Sequence, residues 1–336
     1  MNKQALRADI LLLLTSCIWG FGFVAQRSGM EYVGPFAFNG IRFILGSLSL
    51  FPLIFFRQWK ISGRFGGPGG RRAAVLPSLA AGSCLFIAVT LQQLGLIFTT
   101  AGNAGFITGL YVVLVPILGI FLGRKTGLPT WTGAVFTLTG LYFLSASGHL
   151  KAVNPGDLIT AVSAVFWAFH VLLIDALVQR TDPLLLSSGQ FGWCGLCSLA
   201  AAFLVEPLIG GWVERLNPAL LASGIFSWRS LPALIAAPPS GTALLAGLIP
   251  LLYGGLASVG IAYTLQVVAQ QHAPPAHATI ILCLEGCFAA LGGVLILGEG
   301  LGTWTILGFV LMFCGMLITQ WELIMGGPRK KKAENG

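Results

Sequence analysis

Residues 9–27 read DILLLLTSCIWGFGFVAQR, an almost wholly apolar run that begins at Asp9 and ends at Arg27. A helix needs about 20 apolar residues to cross the roughly 30 Å hydrocarbon core of a bilayer, so this run is long enough for one span. It resembles a signal peptide, but bulky and polar residues occupy the place where a small-residue cleavage site would lie. We therefore expect an uncleaved first transmembrane helix.

The rest of the chain has the same apolar character. Of its 336 residues, 56% are hydrophobic and 9% are charged, whereas soluble domains carry about 25% charged residues. The mean hydropathy is +0.86. This composition argues against a secreted enzyme, a nucleic-acid-binding domain and a disordered chain. It predicts an all-α integral membrane protein, with the lipid bilayer as its surroundings and no nucleic acid as a partner.

The same length criterion, applied along the chain, predicts ten transmembrane helices. Charged residues limit each run, and the polar break at 99–103 divides the long uncharged stretch between Arg72 and Arg124 into two spans. The predicted spans are 9–27, 35–56, two within 72–124, 128–146, 157–177, 184–204, 242–268, 276–297 and 303–321.

Basic residues predict the orientation of these spans. Ten spans place both termini on one side, and a cytoplasmic N-terminus puts fourteen of the 19 Lys and Arg residues on the cytoplasmic side and four outside. Cytoplasmic loops carry such an excess, so we expect both termini in the cytoplasm. The basic tail at 323–336 is then a stop-transfer anchor, with a contact to anionic lipid as the alternative.

The two halves of the chain resemble each other at fixed offsets. An offset of 148 residues relates the starts of the halves, one of 174 relates the later spans, and one further residue of gap relates the last spans. The first pairs Asp9 with Asp157, Trp19 with Trp167, Pro35 with Pro183 and Phe43 with Phe191; the second pairs Gln92 with Gln266, Ala104 with Ala278, Leu110 with Leu284 and Gly119 with Gly293; the third pairs Gly133 with Gly308 and Gly140 with Gly315.

These offsets predict two repeats of five helices, at 8–147 and 155–322, although apolar segments also match by chance. Halves with five spans each cross the membrane in opposite senses, an arrangement that recurs in secondary transporters. The change of offset places an insertion in the loop at about 206–241. We expect short helices there, lying on the outer leaflet, with a substrate lid as the weaker alternative.

Several motifs carry a family resemblance. They are Trp19-Gly20, Asn39-Gly40-Ile41-Arg42-Phe43, Phe106-Ile107-Thr108-Gly109-Leu110-Tyr111 with Pro116, and Leu284-Glu285-Gly286-Cys287-Phe288-Ala289-Ala290 with Leu297-Gly298-Glu299. Their order over residues 8–322 resembles the drug/metabolite transporter superfamily, in its ten-helix form with two EamA-type halves. The resemblance implies a permease for a small metabolite, commonly an exporter, in a bacterial inner membrane. Gly286 stands where that family usually has proline, so we expect span nine to soften there rather than break.

Two charged residues at membrane depth are candidates for function, because a charge there costs about 2.5–3.5 kcal/mol on insertion scales. Arg42 lies seven residues into span two and is suited to an anionic substrate group; reaching back to the interface or a structural ion pair are its alternatives. Glu285 lies near the middle of span nine. The cost of burying its charge favours the protonated form, which makes it a candidate proton carrier or a structural hydrogen-bond donor.

Uncharged and weakly basic groups complete the candidate site. His170 lies deep in span six, where it is a second candidate for proton coupling or a core histidine. Trp19 and Trp167 occupy equivalent depths and are suited either to flanking a cavity or to helix packing. The remaining path-lining candidates, for which interhelical hydrogen bonding is the alternative, are Asn103, Tyr111, Gln92, Gln93, Tyr263 and Gln266.

The seven cysteines lie in apolar runs without ligand spacing, and no nucleotide fingerprint occurs, so we expect no metal and no cofactor. The predicted function is a secondary transporter of a small molecule such as an amino acid or drug-like compound, working by alternating access and driven by the substrate gradient or by proton exchange. A membrane sensor or scaffold is the first alternative, and an intramembrane enzyme the second. A homodimer is left open.

Overall fold

The computed structural model describes residues 3–60, 70–98, 101–124, 126–146, 155–205, 240–297 and 302–319, and every regular element within them is helical. In chain order these elements are α1 (Lys3–Gly29), α2 (Pro35–Lys60), α3 (Gly70–Phe98), α4 (Ala101–Gly109), α5 (Tyr111–Phe121), α6 (Leu128–Ala146), α7 (Pro155–Val178), α8 (Pro183–Leu204), α9 (Gly241–Ala246), α10 (Leu248–Leu252), a π-helix (Tyr253–Tyr263), α11 (Thr264–Ala269), α12 (Pro275–Leu282), α13 (Glu285–Leu297) and α14 (Thr303–Thr319). The all-helical prediction is confirmed. The predicted insertion at 206–241 lies almost wholly outside the described residues, as does the tail at 323–336.

Within these ranges, seven helical stretches are long and apolar enough to cross a membrane. They are Lys3–Gly29, Pro35–Phe56, Ala73–Phe98, Pro155–Val178, Pro183–Leu204, Leu248–Ala269 and Pro275–Gly292, with shorter apolar helices at Ile107–Phe121 and Ile306–Thr319. These stretches support an integral membrane protein. The number of ten spans stays a prediction.

Proline is the first residue of four of the described helices. Pro35, Pro155, Pro183 and Pro275 begin α2, α7, α8 and α12, where the missing N–H of proline leaves no helical hydrogen bond unmade. Before α8, the Asp182 carboxylate accepts hydrogen bonds from two main-chain amides of the first turn, at 3.0 and 3.2 Å. These local signals therefore place the helix starts without help from tertiary packing.

Two tight turns interrupt longer helices at positions that the 174-residue offset relates. Leu110 separates α4 from α5, and residues 283–284 separate α12 from α13. The amides of Leu110 and Leu284 each bond a carbonyl three residues earlier at 3.1 Å, so both turns keep main-chain bonds in 3₁₀ geometry. The expectation that Gly286 leaves span nine unbroken is wrong. The interruption lies just before that glycine, and the tighter bonding needs no proline.

An eleven-residue π-helix, Tyr253–Tyr263, continues α10 and leads into α11. Side chains of the π-helix and of α1 bridge the two elements: the Tyr253 hydroxyl donates to the Ile18 carbonyl at 2.8 Å, and the Trp19 indole N–H donates to the Ser258 carbonyl at 3.2 Å. π-helical turns are rare and occur mostly at functional sites. This one forms a wall of the cavity described below.

Helices pack in pairs across the bundle, with α2 against α8, α3 against α7, and α6 against α14. The α6–α14 pair depends on glycine. A Cβ on Gly133 would lie 2.7 Å from the Gly315 carbonyl oxygen, and one on Gly140 would lie 2.7 Å from the Gly308 carbonyl oxygen. Both distances are too short for a carbon atom, so the two helices touch main chain to main chain.

Candidate functional site

A cavity lies among α1, α2, α3, α4, α5, α7, the π-helix and the helices that follow it. The empty space between its walls is about 470 Å³, part of which is open to solvent. The described residues that line it are Trp19, Phe23, Gln26, Arg42, Gln92, Thr108, Tyr111, Trp167, Val171, Ser258, Tyr263, Gln266, Leu282 and Glu285.

Most of the lining residues correspond to one another under the two sequence offsets. Ten of the fourteen form five pairs: Trp19 with Trp167, Phe23 with Val171, Gln92 with Gln266, Thr108 with Leu282, and Tyr111 with Glu285. The cavity is therefore bordered by equivalent positions of both halves of the chain. The four lining residues without a lining counterpart are Gln26, Arg42, Ser258 and Tyr263.

Tyr263 is the centre of an aromatic cluster that includes both members of two repeat pairs. Its ring centroid lies 4.5 Å from Trp19 and 6.0 Å from Trp167, which it stacks at an interplanar angle of 17°. Phe43 and Phe191 lie 5.9 and 5.8 Å away. Offset and tilted arrangements at these distances are favourable, so the rings hold one another in place and present apolar faces to the cavity.

Arg42 is the basic residue of the cavity wall and is 2% exposed. Its Nε donates to the Asn39 side-chain oxygen at 3.0 Å, and its guanidinium carbon lies 5.6 Å from the Phe38 ring centre and 5.0 Å from that of Phe43. No carboxylate of a described residue lies within 4.0 Å of it. The cation is thus held in place by an amide and two aromatic faces, while its terminal nitrogens have no ionic partner there.

Glu285 is the acidic residue of the same wall and is 5% exposed. It begins α13, directly after the tight turn at 283–284. Within the described ranges, neither a hydrogen bond nor an ion pair reaches its carboxyl oxygens. A carboxyl group in this position favours protonation, because water is largely excluded and no cation compensates a negative charge.

The predicted site residues are distributed as follows. Arg42, Trp19, Trp167, Tyr111, Gln266 and Glu285 meet at the cavity. His170 does not line it; the imidazole is fully buried behind Trp167, with ring centroids 5.9 Å apart, and pairs with the Gln190 side chain at 2.9 Å. Asn103 belongs to α4, but its side chain is outside the described part of the structure.

Sequence reasoning left several lining residues out of the site. Phe23, Val171, Thr108 and Leu282 are apolar or weakly polar, so nothing in their chemistry marked them. The repeat offsets pair them two by two and would have found them once one member of each pair was known. Ser258 lines the cavity from the π-helix, a conformation that the sequence pattern did not predict.

A histidine–carboxylate hydrogen bond and an ion pair lie away from the cavity. The His277 ring nitrogen lies 2.8 Å from the Asp9 carboxylate and ties the start of α12 to the start of α1, with both side chains buried. Arg124 pairs with Asp175 near the end of α7, where the arginine side chain is 29% exposed. The cavity extends in the other direction, toward Gln26 at the end of α1. The Asp9–His277 pair therefore joins α1 to α12 at the end of the bundle opposite to Gln26.

No cluster of three His, Cys, Asp or Glu side chains with metal-binding geometry occurs in the described part of the chain. The cavity itself contributes one guanidinium, one carboxyl group, three amide side chains and an aromatic cluster. This arrangement is suited to binding a small molecule through one charge and one flat apolar surface.

Comparison with known proteins identifies the family of the chain. The model of the EamA-like transporter family matches residues 6–146 and again residues 154–321. An "uncharacterized transporter" of Archaeoglobus fulgidus is 28% identical over 94% of this chain and 87% of its own length, and "uncharacterized transporter YoaV" of Bacillus subtilis is 21% identical over 92% and 95%.

A solved crystal structure shares the fold with a TM-score of 0.69, at 16% identity, over 98% of this chain and all of the other. The family match covers most of the sequence in two blocks, and the relatives carry the name of transporters. The resemblance inferred from the sequence motifs is thereby confirmed. This integral membrane protein belongs to the EamA-like transporter family.

Proposed function

We propose that this protein is a secondary transporter that moves a small metabolite through the cavity by alternating access. In this proposal ten helices form two inverted five-helix halves, 8–147 and 155–322, and the substrate sits between them. The observation that carries the proposal is a buried cavity holding one unpaired guanidinium and one unpaired carboxyl group among the described residues.

Contacts between the halves support the inverted repeat. Gly133 lies against Gly315, and Gly140 lies against Gly308. The offset of 175 residues converts each of these contacts into the other, as a two-fold axis between α6 and α14 requires. An axis in the membrane plane relates halves of opposite orientation, and rocking of one half against the other then opens the site to alternate sides.

The cavity favours a substrate with an anionic group and a flat apolar body. Arg42 has terminal N–H groups available for a carboxylate, and a hydrogen bond to a charged group contributes about 1.5–3 kcal/mol. Trp19, Trp167 and Tyr263 provide ring faces on which an aromatic or planar body packs. Amino acids and drug-like acids belong to this class.

Glu285 is the proposed proton carrier. Its carboxyl group lies at the cavity wall without a described partner, so gain or loss of a proton changes the charge that the substrate meets. Protonation from one side and release to the other would couple export to the proton gradient. His170, which is buried behind Trp167, is a candidate relay for the same proton.

The proposed orientation places both termini in the cytoplasm of a bacterial cell, with export as the direction of transport. The excess of Lys and Arg on the cytoplasmic side supports this orientation. A fluorescent protein fused to the C-terminus should fluoresce, and alkaline phosphatase fused there should be inactive. An active phosphatase fusion would reverse the orientation.

The first test of function is metabolite analysis of the medium of cells that express the protein. Wild type is compared with Arg42→Gln and Glu285→Gln at equal membrane levels. The Arg124–Asp175 pair supplies matched controls, Arg124→Gln and Asp175→Asn, because it contains the same charges away from the cavity. We expect a few anionic compounds to accumulate with wild type and both controls. Both cavity variants should abolish the accumulation.

The outcomes separate the parts of the proposal. Accumulation with Glu285→Gln equal to wild type keeps the transporter and removes the proton carrier. Enrichment of cations that persists in Arg42→Gln refutes the proposed substrate class. No transport in either direction, in cells and in liposomes, would favour a membrane sensor or scaffold over a transporter.

A further inference from the structure

The two repeat-related tryptophans of the cavity differ in one hydrogen bond. The Trp19 indole N–H donates to the main-chain carbonyl of Ser258 at 3.2 Å. Trp167 is only 7% exposed, and its indole N–H is buried without a partner among the described residues. A buried donor without an acceptor is costly, and native structures keep few of them, so this one calls for an explanation.

Two hydrogen bonds near the tryptophans show how the two halves correspond. The Thr15 hydroxyl donates to the Ala262 carbonyl at 3.1 Å, and the Ser163 hydroxyl donates to the Ala88 carbonyl at 3.0 Å. The offsets of 148 and 174 residues convert the first contact into the second. Each half therefore makes the same hydrogen bond to the opposite half at this depth, and the two bonds are symmetric.

One helical turn further along, the same two offsets identify the acceptor that the Trp167 indole N–H lacks. Trp19 follows Thr15 by four residues and Ser258 precedes Ala262 by four, so their bond is the next rung of the same helix pair. The corresponding rung in the other half joins Trp167 to the carbonyl of Cys84. The two helices already touch there, since the Cys84 thiol lies 3.5 Å from the carbonyl oxygen of Phe166.

We propose that Trp19 and Trp167 hold the two end states of the transporter alternately. In the state described here, Trp19 is bonded to Ser258 and Trp167 is free; in the other state, Trp167 is bonded to the Cys84 carbonyl and Trp19 is free. Exchange of conformation between inverted halves produces this outcome, and the Thr15 and Ser163 bonds persist through it. The proposal rests on the alternating access proposed above and assigns each indole to one of its states.

Substitution of each tryptophan by phenylalanine tests the proposal, because it removes the N–H and keeps an aromatic ring. The readout is hydrogen–deuterium exchange of the full-length protein in lipid nanodiscs, compared between the Asp9–His277 end and the Gln26–Arg42 end. Loss of one hydrogen bond changes a two-state equilibrium about fivefold. The matched control is Trp193→Phe, whose indole bonds the Ser83 hydroxyl at 2.9 Å on the α3–α8 side.

Trp19→Phe should raise exchange at the Asp9–His277 end and lower it at the Gln26–Arg42 end. Trp167→Phe should do the opposite, the double variant should resemble wild type, and Trp193→Phe should change neither end. Shifts of the same sign in Trp19→Phe and Trp167→Phe, or no shift in Trp167→Phe, overturn the proposal.

A second readout observes the indole groups directly. In protein labelled with ¹⁵N-tryptophan, the Trp167 indole proton should exchange with solvent more slowly in Trp19→Phe than in wild type, by up to about fivefold. An unchanged rate contradicts the assigned bond. Export by wild-type cells, measured in parallel, separates the two failures: export without the expected shifts overturns only the tryptophan assignment, whereas absent export overturns the transport mechanism as well.

Discussion

Replacement of Gly20 by alanine should force α1 away from α13 and disable the site. A Cβ at this position would overlap the Phe288 Cβ and would lie 2.7 Å from both the Ala289 nitrogen and the Glu285 carbonyl oxygen. Carbon atoms in contact are about 3.5–4.0 Å apart, so the helices must separate by about 1 Å. The main-chain atoms among these neighbours have no rotamer with which to move aside.

The magnitude follows from two opposing effects. Overpacking costs about 1–3 kcal/mol, whereas alanine gains about 0.5–1 kcal/mol over glycine inside a helix. The net result is a destabilisation of about 1–2 kcal/mol. Because Gly20 follows Trp19 and touches the first residue of α13, a 1 Å separation also misplaces two cavity walls, and export should fall roughly tenfold to hundredfold.

Gly105→Ala is the matched control, since a Cβ there would meet no atom of the described residues within 4 Å. Thermal unfolding of the purified variants and metabolite export by cells are the two assays. Gly20→Ala should unfold several degrees below wild type and export poorly, and Gly105→Ala should equal or exceed wild type in stability. If the two variants behave alike, the proposed close packing of α1 against α13 is refuted.

Three further predictions concern contacts outside the cavity. Gly315→Ala should lower the thermal midpoint by the equivalent of about 1–3 kcal/mol, since its Cβ would lie 2.7 Å from the Gly133 carbonyl oxygen; an unchanged midpoint would contradict main-chain contact between α6 and α14. Asp9→Asn weakens the buried bond to its histidine partner and should raise deuterium exchange at the start of α12, with a cost of about 1–3 kcal/mol. Arg124→Gln leaves the Asp175 carboxylate, whose side chain is 10% exposed, without its cation and should cost about 1–3 kcal/mol; an unchanged midpoint in calorimetry would contradict a structural role for that pair.

Much of the fold could be predicted because it depends on local sequence. The apolar run after Asp9 and the prolines at 35 and 183 mark helices without reference to neighbours. The tight turn at 283–284 could not be predicted in this way, because its main-chain bonding is stabilised by packing between α12, α13 and the opposite half. The π-helix at Tyr253–Tyr263 has no sequence signature in its hydropathy at all.

The candidate site divides in the same manner. Arg42 and Glu285 were identifiable because a charge inside an apolar span is costly wherever its side chain points. His170 met the same criterion of depth, but depth does not give direction, and the side chain points behind Trp167 to Gln190. Direction around a helix axis depends on how neighbouring helices are rotated, which a single sequence does not contain.

The two interrupted helices meet where the Cys283 thiol lies 3.4 Å from the Gly109 carbonyl oxygen. The 174-residue offset makes these two positions counterparts, so in the proposed inverted repeat their contact lies on the axis that exchanges the halves. A position on such an axis would have the same neighbour before and after the proposed exchange. We expect a substitution there to alter the height of the barrier between the two proposed conformations, and hence turnover, while leaving their ratio nearly unchanged. Positions away from the axis, such as Trp19, should alter the ratio instead, so that different residues adjust the rate of exchange and the balance between the conformations.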